Sequence, residues 1–261
     1  LALYTTSESD AAMIARDITR LGYTPRIYWR SRHPRRRAEI SIRVNSIALH
    51  ALFESLGSPI GKKEWPAEPM PWLFLQPAWL RAQFLSAFCS AEMMTPRLLR
   101  NRVVSLQLKQ AGQNRHAIDF VARVFQSLAY DVSVAPSGPP RGERQDYVLH
   151  ILGGDAAQVR FFSEIGFCYA AEKQQRAAES ASIFWQRAAI VRKRTAARDK
   201  AHALGAAGMR RKEVVTTITQ EFAVSPYFAI HALYSGRGEP RCTDRQLAQR
   251  TTGELCWVPV E

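Results

Sequence analysis

The stretch ARDITRLGY (residues 15–23) returns 107 residues later as ARVFQSLAY (residues 122–130). At the same offset Ile40, Ile42 and Val44 of EISIRV fall on Tyr147, Leu149 and Ile151 of DYVLHI. Both alternate apolar and polar residues, the pattern of a strand that buries one face. The offset then drifts to 109, where FESLGSPIGKK meets FSEIGFCYAAEK. Gly57 and Gly166 there close the helices SIALHALFESLG and DAAQVRFFSEIG, as C-terminal glycines commonly do, and Lys63 and Lys173 follow at nearly equal distances. Four elements in one order predict a duplicated α/β (α+β) module.

The chain opens on a strand. The first copy then reads as helix 10–21, strands 24–28 and 39–44, and helix 47–56. The second reads as strand 102–109, helix 115–128, strands 131–135 and 146–152, and helix 156–165. Between them, after Pro77, the apolar residues Trp79, Leu80, Phe84, Leu85, Phe88 and Ala91 recur at helical spacing. Trp65, Trp72 and Trp79 are expected to pack this linker onto the core.

Composition sets the class. A chain of 261 residues exceeds one typical domain of roughly 100–200 residues, so one large or two moderate units are expected. Hydrophobic residues at 46% are enough for a core, which excludes a disordered tail. With 36 basic against 23 acidic residues the net charge is +13, and the first partner this suggests is nucleic acid. No stretch approaches the roughly 20 apolar residues of a membrane-spanning helix, and no signal pattern opens the chain. Cys89, Cys168, Cys242 and Cys256 form no CxxC pair, which fits reduced thiols in a cytoplasmic protein rather than disulfides or zinc. The histidines form no triad or metal spacing, and there is no Gly-rich phosphate loop or Gly-x-Ser-x-Gly elbow.

The composition changes after Glu172. Residues 173–212 carry eleven Lys or Arg against Glu179 and Asp199, and read as basic helices. RRKEVVTTITQEFAVSPYFAIHALYSGRGEP then resembles a helix-turn-helix. One helix runs from Lys212 to Phe222 and a turn follows at Ala223–Val224. Ser225 is the N-cap and Pro226 the first helical position of a second helix, which ends near residues 235–236. Its outward residues Tyr227 and His231, with Arg210, Arg211 and Lys212, are candidate DNA contacts, while Ile230 and Leu233 are expected to pack inward.

The helix ending FLSAFCSAEMM carries the most specific signal. It resembles a degenerate second motif of the LAGLIDADG homing endonucleases, the dodecapeptide type found inside inteins, with Glu92 on the motif's final acidic position. LGSPIGKK with PMPWL, and EIGFCYAAEK, resemble the ends of that family's two repeats. The arrangement is most similar to inteins inserted in tRNA-splicing ligases of the RtcB family. The resemblance implies a pseudo-twofold domain, monomeric, whose antiparallel strands form a saddle along the DNA major groove. It makes Glu92 a ligand of Mg²⁺ (or Mn²⁺), which stabilises the oxygens exchanged in phosphodiester hydrolysis. It makes Lys63 (or Lys62) and Lys173 basic residues near that centre. Candidate DNA-facing strand residues are Arg26, Tyr28, Arg30, Arg43, Gln107, Lys109 and His150. Arg26, Arg30, Arg32, Arg35, Arg36 and Arg37 follow one another without an intervening acid and suit phosphate positioning.

The sequence departs from the family pattern in three ways. Ser90 stands where the motif has its preceding acid, Met93 stands where it has glycine, and the first motif helix has no counterpart in residues 1–75. Neither Leu1 nor Glu261 is a splicing residue, so the sequence reads as a fragment whose parent splicing domain and host protein, an RNA ligase, lie outside it. The expected organisation is a first repeat (1–75), a second repeat (76–173), a basic helical and helix-turn-helix region (174–241) and a strand toward the splicing domain (242–261). The expected function is an intein-derived endonuclease domain for double-stranded DNA. The alternative is a catalytically degenerate DNA-binding protein of the same architecture, and an RNA-binding maturase is a third.

Overall fold

The computed structural model describes residues 1–30, 39–58, 65–96, 98–99, 102–103, 106–110, 115–140 and 145–234. The chain divides into two compact units, one of Leu1–Arg97 with Val103–Ser180, the other of Leu98–Arg102 with the residues from Ala181 onward.

The first unit contains the duplication. β1 (Ala2–Thr5), α1 (Glu8–Arg20), β2 (Arg26–Arg30), β3 (Glu39–Arg43) and α2 (Ile47–Ser55) form the first copy. A 3₁₀ turn (Pro71–Leu75) and α3 (Ala78–Glu92) follow; the chain then gives two-residue strands β4 (Leu98–Leu99) and β5 (Arg102–Val103), which pair with each other and belong, but for Val103, to the second unit. The second copy is β6 (Gln107–Gln110), α4 (Arg115–Gln126), β7 (Val132–Pro136), β8 (Tyr147–Ile151) and α5 (Gly154–Glu164). Of the strand expected over 102–109, the described residues give two pieces: Arg102–Val103 pairs with β4 and Gln107–Gln110 with β8.

The two sheets are antiparallel and have the same order, β1-β3-β2 and β6-β8-β7. Their registers also agree. Ile42 lies between Leu3 and Ile27, and Leu149 lies between Leu108 and Val134. Strands two and three of each copy thus match at an offset of 107, and the first strands at 105. The duplication read from the sequence is present in the pairing of the backbone.

Alternation decides what each sheet buries. Ile40 and Ile42 pack with Ala11, Ile18, Val44 and Leu49 under α1 and α2. In the second copy Leu108 and Leu149 are fully buried, as are Ile118, Phe120, Phe125 and Phe161. Phe120 is the hub of an aromatic cluster, its ring 5.8 Å from Trp65, 5.7 Å from Phe74 and 5.8 Å from Phe84. Trp65 and Trp72 hold the linker as expected, Trp72 by donating its indole N–H to the Leu56 carbonyl at 2.8 Å. Trp79 does not pack inward. It is 65% exposed on the first turn of α3 and lines a cleft with Arg160 and Glu164.

The buried face of α3 also differs from its apolar stripe. Leu85, Ser86, Cys89 and Ser90 are inside, and Ala91 is exposed. Two serines displace apolar residues there because they bond to backbone, as described below. Gly57 and Gly166 end α2 and α5 at φ of +90° and +61°. At Gly166 the left-handed backbone calls for glycine, and a Cβ would also press on Gln174 Oε1 at 2.7 Å.

Basic helices expected after residue 173 are one helix of 36 residues, α6 (Ala171–Ala206). In the second unit α7 (Arg211–Phe222) and α8 (Pro226–Tyr234) follow, joined by Ala223 at φ +43°. Ser225 Oγ accepts the Phe228 N–H at 3.2 Å, the N-cap read from the sequence. Ala197 and Ala201 of α6, Val214 and Ile218 of α7, and Ala229 and Ala232 of α8 form one core cluster. Leu233 packs against it as expected. Ile230 instead lines a shallow cleft with Arg211, Lys212, Val215 and Thr216, because the alanines bring α8 close through the neighbouring face.

Candidate nucleic-acid interface and metal site

Each sheet turns one face to the helices, and the polar and basic strand residues gather on the other. On the first sheet that outer face carries Arg26, Tyr28 and Arg30 of β2 with Arg43 of β3, since these alternate with the core residues and Arg26 pairs directly with Arg43. Tyr4 of β1, 52% exposed, shares it. Arg43 spans the face, its guanidinium 5.3 Å from the Tyr28 ring centre and its Nε donating to Ser41 Oγ at 3.3 Å. Arginine, tyrosine and an open pleated surface are the means by which strands bind phosphate and read base edges.

The equivalent face of the second sheet carries Gln107, Lys109 and His150, with Gln107 opposite His150. The two faces are unequal in charge. Where the first has Arg43 and Arg26, the second has His150 and Ser133 at the matching register positions. Arg35, Arg36, Arg37 and Lys63 lie outside the described residues, as does Lys62.

Glu92 closes α3 and is exposed. The chain beyond it is tied to the second sheet: Met93 bridges Leu108, and the Met94 N–H bonds to the Gln107 carbonyl at 2.9 Å. Glu92 therefore sits beside the edge strand that presents Gln107 and Lys109.

What fixes this end of α3 is a strap that sequence reasoning did not find. The backbone N–H groups of Cys168 and Tyr169 bond to Ser86 Oγ at 3.0 Å and Ser90 Oγ at 3.1 Å. Asp10 of α1 accepts the Ala171 N–H at 2.9 Å, capping α6, and the Tyr169 hydroxyl donates to Asp17 at 2.9 Å. Burial, aided by Asp17, pushes the Tyr169 hydroxyl up to about 12. The one signal in the sequence was Ser90 itself, a small hydroxyl where the motif has an acid.

Lys173, expected as a basic residue near a metal centre, is bonded to backbone in this structure. Its ammonium donates to the carbonyls of Ser90 at 2.7 Å and Met93 at 2.6 Å, and reaches that of Cys89 at 3.5 Å. Burial lowers its pKa, opposed by Cys89, Glu92 and Asp10. Burial also pushes the Cys89 thiol up, so this cysteine is a neutral core residue.

Among the described residues the donor set around Glu92 does not by itself make a metal site. Mg²⁺ and Mn²⁺ prefer carboxylate and carbonyl oxygens. Here the nearest helix-end carbonyls are taken by an ammonium whose charge opposes a divalent cation. Among the described residues no three His, Cys, Asp or Glu side chains come together to hold a metal.

In the second unit Arg210, Arg211, Lys212, Tyr227 and His231 are all exposed. The Tyr227 and His231 rings lie 4.4 Å apart on the outer side of α8, and Arg211 lies 5.3 Å from the Tyr234 ring. Other charges of the basic run serve the fold. Lys200 pairs with Glu221, Lys193 reaches the Ala223 carbonyl at 3.4 Å, and Arg194 lies 5.1 Å from the Phe228 ring. Among the described residues no helix is long and apolar enough to cross a membrane.

Comparison with known proteins gives two partial likenesses, and no family model matches. The tRNA-splicing ligase RtcB of Pyrococcus abyssi is 25% identical over 191 residues, which cover 69% of this chain and 21% of the ligase. The chain thus spans about a fifth of that relative's length. Among solved structures, the homing endonuclease I-DmoI in complex with DNA and Ca aligns over 68% of this chain and 81% of its own, with 17% identity and a TM-score of 0.45. Its complex with DNA and Mn aligns over 64% and 80%, with 16% identity and a TM-score of 0.44.

Proposed function

We propose that this chain is a double-stranded DNA-binding domain of the LAGLIDADG type. One observation carries the reading. Arg26, Tyr28, Arg30 and Arg43 share the face of the first sheet that the helices leave open, and Gln107, Lys109 and His150 share the matching face of the second. The first face suits phosphate contact through arginine, the second hydrogen-bond readout of bases. The exposed Tyr227 and His231 of α8, with Arg210, Arg211 and Lys212, make the second unit a further, helix-turn-helix contact. Titration of a fluorescent duplex at two salt concentrations tests this: affinity should fall steeply with salt, and a salt-independent affinity would overturn a phosphate-dominated interface.

The chain is read as a segment of an intein within a tRNA-splicing ligase. Support comes from a match that covers most of this chain and a small part of the ligase. In that setting the repeats (1–75 and 76–173), the helical region (174–241) and the residues 242–261 would be parts of a monomeric insert, with the splicing domain and host ligase as covalent partners. A second reading, Mg²⁺- or Mn²⁺-dependent cleavage, is favoured by Glu92 ending α3 beside β6. It needs a further carboxylate next to Glu92, with Lys63 as the remaining candidate base. Nicking assays on plasmid DNA, with Glu92→Gln as control, test it.

A further inference from the structure

The carboxyl end of α3 presents a cage of oxygens. The last carbonyls of an α-helix have no partner within the helix and carry its negative end. Here Ser90 O of the last turn and Met93 O, just past it, accept from the Lys173 ammonium at 2.7 and 2.6 Å, and Cys89 O lies at 3.5 Å. An ammonium has three donors, so these contacts use its full capacity. Lys173 is itself held in place, because the Ala171 N–H is bonded to Asp10 and Gln174 Oε1 accepts the Phe167 N–H at 2.9 Å. The charge thus stands at a fixed point, near the carboxylates of Glu92 and Asp10.

A hard divalent cation would seek those same oxygens. With a unit charge already among them, binding a second cation would cost Coulomb energy in a half-buried place.

We propose that Lys173 is the resident cation of this site. It neutralises the end of α3 beside Glu92 from within the chain, so the first unit keeps its shape and binds DNA without divalent metal. Removing the ammonium uncovers a divalent-cation site built from Ser90 O, Met93 O and the Glu92 carboxylate. The part concerning DNA rests on the proposed DNA-binding function; the part concerning the cation does not.

The test uses the whole chain as wild type, Lys173→Met and Lys173→Arg. Mn²⁺ binding is followed by its paramagnetic resonance signal, and melting is compared in EDTA and in millimolar Ca²⁺. Wild type and Lys173→Arg should bind Mn²⁺ no tighter than about 1 mM and melt alike in both buffers. Lys173→Met should melt lower in EDTA, recover most of that loss in Ca²⁺, and gain one Mn²⁺ site. A tight Mn²⁺ site in wild type overturns the proposal, whatever the fate of the variants. So does a folded Lys173→Met that neither binds Mn²⁺ nor responds to Ca²⁺. Wild-type affinity for duplex DNA should agree within about twofold between EDTA and Mg²⁺ at matched ionic strength, and a gain of about tenfold in Mg²⁺ overturns the proposal. Absence of DNA binding in both buffers counts against the DNA reading and leaves the Mn²⁺ result to decide the cation.

Discussion

Ser90 Oγ accepts the backbone N–H of Tyr169 at 3.1 Å. The same hydroxyl donates to the Ser86 carbonyl at 2.7 Å, and both groups are buried. Ser90 is thereby a link between α3 and the segment leading into α6. A serine suits this place: its neutral hydroxyl can be enclosed, where a carboxylate would need a cation or solvent.

Ser90→Ala should destabilise the first unit by about 1–3 kcal/mol, because it leaves the part-buried Tyr169 N–H without its acceptor. Urea unfolding with an unchanged m-value would measure it. A loss below about 0.5 kcal/mol would mean that water replaces the hydroxyl and that the strap does not depend on Ser90.

Arg43→Ala should weaken duplex binding and lower the slope of log affinity against log salt by about one, the share of a single phosphate contact. Arg20→Ala is the control, since Arg20 ends α1 on the helix side of the sheet and leans on Asp17. Equal effects from both arginines would point to net charge rather than to the open sheet face as the source of affinity.

Phe120→Ala should cost about 3–5 kcal/mol, as it removes a fully buried ring that touches three other aromatics. Trp79→Ala should cost under about 0.5 kcal/mol, because a tryptophan 65% exposed has little burial to lose. The difference, read from paired denaturation curves, checks the correction of the α3 stripe.

These contrasts show which parts of the molecule were legible in the sequence. The buried faces of two strands were legible because period-2 alternation fixes which residues face the helices, and Ile40, Ile42 and Leu149 fall where the pattern puts them. The turn between α7 and α8 was legible because Ser225 and Pro226 are a local cap signal. The inward face of α3 was not, because Ser86 and Ser90 are buried by partners about 80 residues away, which no local period records. The bonds of Lys173 were not legible for a related reason. A lysine at a repeat boundary reads the same whether its ammonium meets a phosphate or a helix end, and only the tertiary contact distinguishes them.

Glu164→Gln should lower stability by about 0.5–1 kcal/mol near pH 6, a small effect because the carboxylate is half exposed. Arg160 Nε donates to Glu164 at 2.9 Å, the Tyr130 hydroxyl donates to it at 3.0 Å, and the rest of the guanidinium grips the Leu128 and Ala129 carbonyls at 2.8 Å. Arg160 first, then Tyr130, hold the Glu164 carboxyl below its ordinary 4.5. A depressed carboxyl stabilises the fold above its unfolded value and loses that contribution as pH falls through the lowered one. The difference between wild type and Glu164→Gln should therefore shrink on acidification below about pH 4. A difference constant with pH would show that the clamp acts through packing alone.

The last prediction separates folding from recognition in the second unit. Ser225→Ala removes the N-cap of α8 and should cost about 1 kcal/mol, seen as a lower unfolding midpoint, since the Phe228 N–H loses its acceptor. Tyr227→Ala and His231→Ala remove rings from the outer side of the same helix, where Tyr227 is 73% exposed, and should leave that midpoint within about 0.5 kcal/mol. If α8 is the recognition helix, each should nevertheless weaken binding to a preferred duplex by about 1–3 kcal/mol and act less on a random one, because base contacts carry sequence preference while phosphate contacts do not. Loss of affinity that is equal for both duplexes would make α8 a phosphate-binding helix. Unchanged affinity would remove the helix-turn-helix from the interface and leave recognition to the open faces of the two sheets.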